Sequence, residues 1–126
     1  YDSDDKIDVV VGHQNNNMVV YRNFGNIIIT TWSGQNMGSA NGQPYVDAGD
    51  IDRDSYLDAG SADRGNWGFV WTQDGTPFNG GWSKTAYLNA PAAIYGFSMG
   101  DLDRDGALDM CVGNNNRNIY VMRTVV

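Results

Sequence analysis

GDLDRDGALDMCVGNNN, residues 100–116, places four aspartates within nine positions and then runs directly into a short apolar stretch. Asp101, Asp103 and Asp105 alternate with other residues, and Asp109 closes the loop. Alternation lets a curled loop aim carboxylates at one centre, and a hard cation such as Ca²⁺ gathers about six to eight oxygens at ~2.3–2.6 Å. Gly106 falls where such a loop bends sharply, and the backbone carbonyl of Ala107 is expected as a further ligand. Without a cation, carboxylates crowded this closely repel one another.

The pattern is repeated along the chain. The closing aspartates Asp8, Asp58 and Asp109 are spaced by 50 and 51 residues. In DIDRDSYLD, Asp50, Asp52, Asp54 and Asp58 hold the same places, the carbonyl falls to Tyr56, and Ser55 replaces the glycine. A positive φ is therefore expected at Ser55, at some cost in strain. In DSDDKID, Asp2, Asp4 and Asp8 match the third, fifth and ninth loop places, with Lys6 supplying the carbonyl and Asp5 at the bend. Its first ligand would precede Tyr1. Two full calcium loops and a third, partial site at the N-terminus follow. Asp in polar turns is common, but turn preference alone does not repeat four carboxylates at one register. An EF-hand would flank its loop with helices and place Glu at the twelfth position, and this chain has no Glu.

Each Asp loop is followed by an apolar stretch, a polar turn (QNNN, DRGN or NNNRN) and a second apolar stretch (MVVYR, WGFVWT or IYVMR). Third stretches are expected at NIIITTW and WSKTAYL, and strands preceding the next loop at PYVDAG and AIYGFSMG. The predicted fold is all-β, in units of four antiparallel strands with the Asp loop between the first and second. The 126 residues make a single repeat region: a partial unit over 1–35, a full one over 43–90 and a partial one over 92–126. About two and a half units result. The Asn runs read as hairpin turns tolerant of left-handed backbone.

GDIDRDSYLDAG and GDLDRDGALDMCVGNNN together resemble the FG-GAP or VCBS repeats known from integrin α-subunit propellers and from secreted microbial proteins. The resemblance covers essentially the whole chain, although GFSMGD is only near the name motif and DAGD lacks its aromatic residue. It implies propeller-type blades of four antiparallel strands, packed radially, with structural Ca²⁺ in the loop between the first two. Propellers close with four to eight blades, so one chain of two and a half cannot close alone. Incomplete blades leave sheet edges that a partner strand could complete.

The remaining features narrow the function. A formal charge of −7 with eight scattered basic residues excludes a phosphate-binding surface, so no nucleic acid partner is expected. Eleven of the fifteen acidic residues occupy ligand places in the loops. No stretch approaches the ~20 apolar residues of a membrane span, and YDSDDKID shows neither the basic end nor the apolar run of a signal peptide. The single Cys111, in an apolar run, reads as a small buried residue. His13 is the only histidine and has no nucleophile or acid at a fixed spacing, so an enzyme is not expected. Trp82 follows the NGG turn, Trp67 sits in the RGNWG turn and Trp32 leads into the Gly-rich WSGQNMGSANGQ loop, so all three are candidate contacts for a glycan or protein, while Trp71 is assigned to the core. The expected role is an extracellular, calcium-stabilised module that binds a glycan or protein in adhesion, or a structural subunit that assembles with copies of itself into a ring or filament.

Overall fold

The computed structural model describes residues 2–25 and 32–124, and all of their regular structure is strand. Ten strands form three antiparallel sheets. The first holds β1 (Val9–Gly12), β2 (Asn17–Arg22) and β3 (Ser33–Ser39) in that order. The second holds β4 (Pro44–Gly49), β5 (Asp58–Asp63), β6 (Trp67–Gln73) and β7 (Trp82–Asn89). The third runs β8 (Ile94–Gly100), β9 (Asp109–Asn114) and β10 (Ile119–Met122). The Asp loops at 50–57 and 101–108 join β4 to β5 and β8 to β9, the places expected for them.

The middle sheet is covered on both faces, and its sequence shows why. Every residue of β5, DAGSAD, is buried, so only small side chains fit facing the neighbouring sheets. A Cβ at Gly60 would lie 2.6 Å from both Met99 and Phe97 of the third sheet, so any larger residue would force those side chains to shift. On the other side, Met18 and Val20 of β2 form one core with Ala59, Phe69 and Trp71. Trp71 is 1% exposed, and its indole N–H donates to the Ser61 hydroxyl at 2.7 Å, satisfying the one polar atom that burial would orphan. A smaller core joins Ala62 and Ala90 to Ile94 and Val112.

The repeat extends to backbone detail. Counted from the closing aspartates, Asn16, Asn66 and Arg117 share one register in the hairpin turns, and all three have positive φ. The ladders β2–β3 and β6–β7 are interrupted at one shared register, Met18/Val19 and Gly68/Phe69.

Three local expectations change. The strand expected at NIIITTW lies, apart from Trp32, outside the described residues. WSGQNMGSANGQ, expected as a loop leading away from Trp32, contains β3. As an edge strand it buries only Met37, so polar residues and glycines are tolerated elsewhere in it while β2 supplies the ladder. The first sheet therefore reaches Ser39, past the bound expected at 35. Trp67, expected in a turn, opens β6. Among the described residues no helix is long and apolar enough to cross a membrane.

Candidate metal centre

Both complete Asp loops are folded by their own carboxylates. In the second copy, Asp50 accepts hydrogen bonds from the backbone N–H of Asp54 (3.1 Å) and Ser55 (3.0 Å), and Asp54 accepts from Tyr56 (2.8 Å). In the third, Asp101 accepts from Asp105 (3.0 Å) and Gly106 (2.9 Å), and Asp105 from Ala107 (2.8 Å). The partial first loop keeps one of these bonds, Lys6 N–H to Asp4 at 3.0 Å. Ser55 has φ 76° at the position where Gly106 has 85°, so the strained bend expected at Ser55 is present. A second left-handed residue recurs at Ser3, Arg53 and Arg104, two places earlier, which the glycine alone did not signal.

The closing aspartate of each loop is buried and serves as an anchor. Asp58 is 0% exposed; one oxygen accepts from Ile51 N–H (2.8 Å) and the other from Gln73 N–H (3.2 Å) at the far end of β6. Asp109 accepts from Leu102 (3.0 Å) and Thr124 (3.1 Å) in the same way, and Asp8 from Asp2 (3.3 Å) and Asn23 (2.8 Å). Each thus pins the loop to the chain fifteen residues beyond it. Burial pushes the Asp58 carboxyl up, opposed by those backbone donors.

Single carboxylate oxygens of Asp50, Asp52 and Asp54 lie within 4.8 Å of one another, and so do those of Asp101, Asp103 and Asp109. Two oxygens on opposite sides of one ion, each at ~2.4 Å, are separated by about that distance. Either cluster can therefore hold a metal ion, and an all-oxygen donor set suits a hard cation. Each carboxylate offers about four lone-pair directions, so accepting one or two N–H bonds leaves sites for metal. Asp58 stays with its backbone donors outside the second cluster. Asp105 is not in the third cluster, and its carboxylate pairs with Arg123 Nη2 at 3.3 Å. No cluster of three forms at Asp2, Asp4 and Asp8 among the described residues.

Arginine is the component that the sequence reading missed. Arg123 also pairs with Asp103, and at the same repeat position Arg22 Nε lies 2.7 Å from Asp2. The second copy has Thr72 at that place. There the Asp52 carboxyl is pushed up, first by burial and then by the charges of Asp54 and Asp50. Asp105 is instead held below the usual carboxylate range, by the Ala107 N–H first and then by Arg123. Asp4 is held down by the Lys6 ammonium, 2.8 Å away. The loops are neighbours: Arg53 of the second donates to the backbone oxygen of Asp105 in the third at 3.2 Å.

The other candidates are distributed differently. Trp67 and Trp82 are half-buried against the core between the first two sheets, and the Trp82 indole donates to the Pro77 carbonyl at 2.9 Å. Trp32 precedes β3 and is partly exposed. His13 lies 3.0 Å from the Tyr21 hydroxyl. Asp63, not singled out from the sequence, is 0% exposed and ties the DRGN turn through Gly65, Trp67 and Asn41 N–H groups. Compared with protein-family models, curated protein sequences and solved structures, the chain matches none.

Proposed function

We propose that this protein is an extracellular, calcium-stabilised repeat module of the propeller type, similar to FG-GAP and VCBS repeats, and that it acts through interaction and not catalysis. One observation carries the reading. Two loops fifty-one residues apart fold through the same set of carboxylate-to-backbone bonds, and each brings three carboxylate oxygens within 4.8 Å. Bound calcium would tie the start of each loop to the strands on either side. The Ala107 and Tyr56 carbonyls complete the proposed oxygen set. Loops of modest affinity work where calcium is millimolar, which is the condition outside cells.

Titration calorimetry with calcium, alongside thermal unfolding with calcium and with excess chelator, tests this. Expected are binding at both full loops, a melting temperature that rises with calcium, and loss of one site in Asp50→Asn combined with Asp54→Asn. No binding heat and an unchanged melting temperature would return the aspartates to ordinary turns. The module's partner is a glycan or protein, or further copies of itself.

A further inference from the structure

We propose that the cleft between the first two sheets, at their hairpin-turn end, binds the uronic acid residue of an acidic glycan, Arg64 taking its carboxylate and His13, Gln14, Gln43 and Tyr45 its ring and hydroxyls. The inference rests on the interaction reading above and names a site and a ligand class for it.

Two departures from the repeat meet at this cleft. The first is His13. At its place, counted from the closing aspartates, the second and third repeats carry Asp63 and Asn114. Their side-chain oxygens tie their own turns, Asp63 accepting from Gly65 (2.9 Å) and Trp67 (3.0 Å) N–H and Asn114 from Asn116 (3.1 Å) and Asn118 (3.0 Å). The first turn closes through backbone bonds, His13 N–H to the Asn17 carbonyl at 2.8 Å and Asn16 N–H to the His13 carbonyl at 3.0 Å, so the imidazole is not needed to hold it. The ring lies instead 3.0 Å from the Tyr21 hydroxyl and lines a cavity of about 310 Å³ with Gly12, Gln14, Gln43, Pro44 and Tyr45. Its floor is a close backbone approach, since a Cβ at Gly12 would lie 2.6 Å from the Pro44 carbonyl oxygen. Between the second and third sheets the places of Gly12 and Pro44 are held by Ala62 and Ile94, both 0% exposed in one apolar core. The same boundary is thus packed in one copy and open in the other.

The second departure is Tyr95. Ile94 pairs with Asn114 and Gly96 with Gly113, so Tyr95 is an extra residue in β8, whereas Pro44 and Tyr45 of β4 pair with Asp63 and Ala62 without one. This bulge is the one residue that separates the repeat spacings of 50 and 51. A bulge re-aims a side chain, and here it sets the Tyr95 ring 4.8 Å from the Arg64 guanidinium, whose Nη2 donates to the phenol oxygen at 3.1 Å. Nη1 donates to Gln43 Oε1 at 2.8 Å. Gln43 lines the cavity, so the guanidinium is held flat at its rim.

Charge and shape select the ligand. Among the described residues no carboxylate pairs with Arg64, although the chain carries −7. Asp63 beside it is 0% exposed and occupied by backbone N–H groups, and the Asp loops lie at the opposite end of the strands. Two of the five guanidinium N–H groups serve Gln43 and Tyr95, which leaves donors for a carboxylate. The cavity lining has no acidic side chain; its amides and imidazole offer donors and acceptors for hydroxyls, and Tyr45 a surface for a sugar ring. Its volume is at the small end of the ~300–1,000 Å³ of small-molecule sites. Acidic peptides are met by arginine clusters or a sheet edge, whereas one arginine stands beside this compact cleft.

Titrating sodium glucuronate into the ¹⁵N-labelled protein in calcium should shift the amide signals of Gln14 and Gln43 and the Arg64 Nε–H signal, with affinity at least about tenfold above that for glucose. Arg64→Gln, at an exposed position, should remove that preference while the melting temperature still rises with calcium. Gln14→Ala should weaken glucuronate binding and keep the preference. Equal binding of the two sugars, shifts confined to other surfaces, a preference that survives Arg64→Gln, or tighter binding of N-acetyl-aspartate amide would overturn the proposal. Absence of glucuronate binding in a protein whose melting temperature rises with calcium removes only this inference. Glucuronate binding by a protein indifferent to calcium removes only the calcium reading.

Discussion

The second and third Asp loops share a register, a hydrogen-bond network and a buried anchor, yet they manage their charge in different ways. In the third, Arg123 reaches from the end of β10 to Asp103 and Asp105. In the second, Thr72 stands at that place, and among the described residues no cationic side chain pairs with Asp50, Asp52 or Asp54. The third loop carries part of its counter-charge within the chain, while the second has no such partner among the described residues. Because Arg123 pairs with Asp103 and Asp105, a cation entering the third loop would compete with a guanidinium. If the loops take calcium as proposed, the second should be the stronger site of the two and the less stable one without the ion.

The comparison presumes that the loops are otherwise alike, and the largest effect tests that premise. Asp58 and Asp109 are both at most 1% exposed and anchor equivalent backbone donors. Asp58→Ala would strand buried N–H groups of Ile51 and Gln73, and about 3 kcal/mol of stability should be lost. Asp109→Ala should cost a similar amount, and chemical denaturation of both variants without calcium checks it. A large inequality would show that more than the arginine separates the two loops.

Exchanging the arginine sharpens the difference itself. Thr72→Arg should lower calcium affinity at the second loop about tenfold, equivalent to about 1.4 kcal/mol, while raising the melting temperature of the calcium-free protein. Arg123→Thr should do the reverse at the third loop, by a smaller amount because Arg123 is well exposed and its ion pairs are screened. Calorimetry on both variants decides. Unchanged affinities would mean that the guanidinium follows the carboxylates without competing for them.

How much of this was legible in the sequence depends on the range of the interaction. The Asp loops, the position of Asp58 and Asp109 and the positive φ at Ser55 follow from residues within a nine-residue window. Strands such as PYVDAG and WSKTAYL could be read because their own apolar residues mark them. β3 could not, since SGQNMGS is a strand only through its ladder to β2. The roles of Arg22 and Arg123 were also hidden: each lies fourteen residues beyond its closing aspartate and reaches the loop only because two antiparallel strands return it there. Aligning the three repeats could have shown the arginine, as a shared Arg in MVVYR and IYVMR with Thr in its place in WGFVWT. Asp63 was legible in principle as an Asx-type turn in DRGN; its complete burial was not.

The smallest expected effect is a difference in protonation. In the calcium-free protein the Asp52 carboxyl is raised, mainly by burial, so its ionised form is disfavoured by the fold. Its ionisation costs stability as pH rises from the ordinary carboxylate value through the raised one, and acidification returns that stability. Asp105 has the opposite sign. With its carboxyl held down by the Ala107 N–H and by Arg123, it contributes stability above the ordinary value and loses it as pH falls through the lowered one. On acidification the second loop should therefore take up a proton before the third, and carbon-detected titration of the side-chain carboxyls should place the Asp52 midpoint above that of Asp105. Saturating calcium should lower the Asp52 midpoint, because a bound cation favours its charged form. If Asp52 instead titrates below Asp105 without calcium, the second loop is not short of counter-charge, and the contrast between the loops fails at its source.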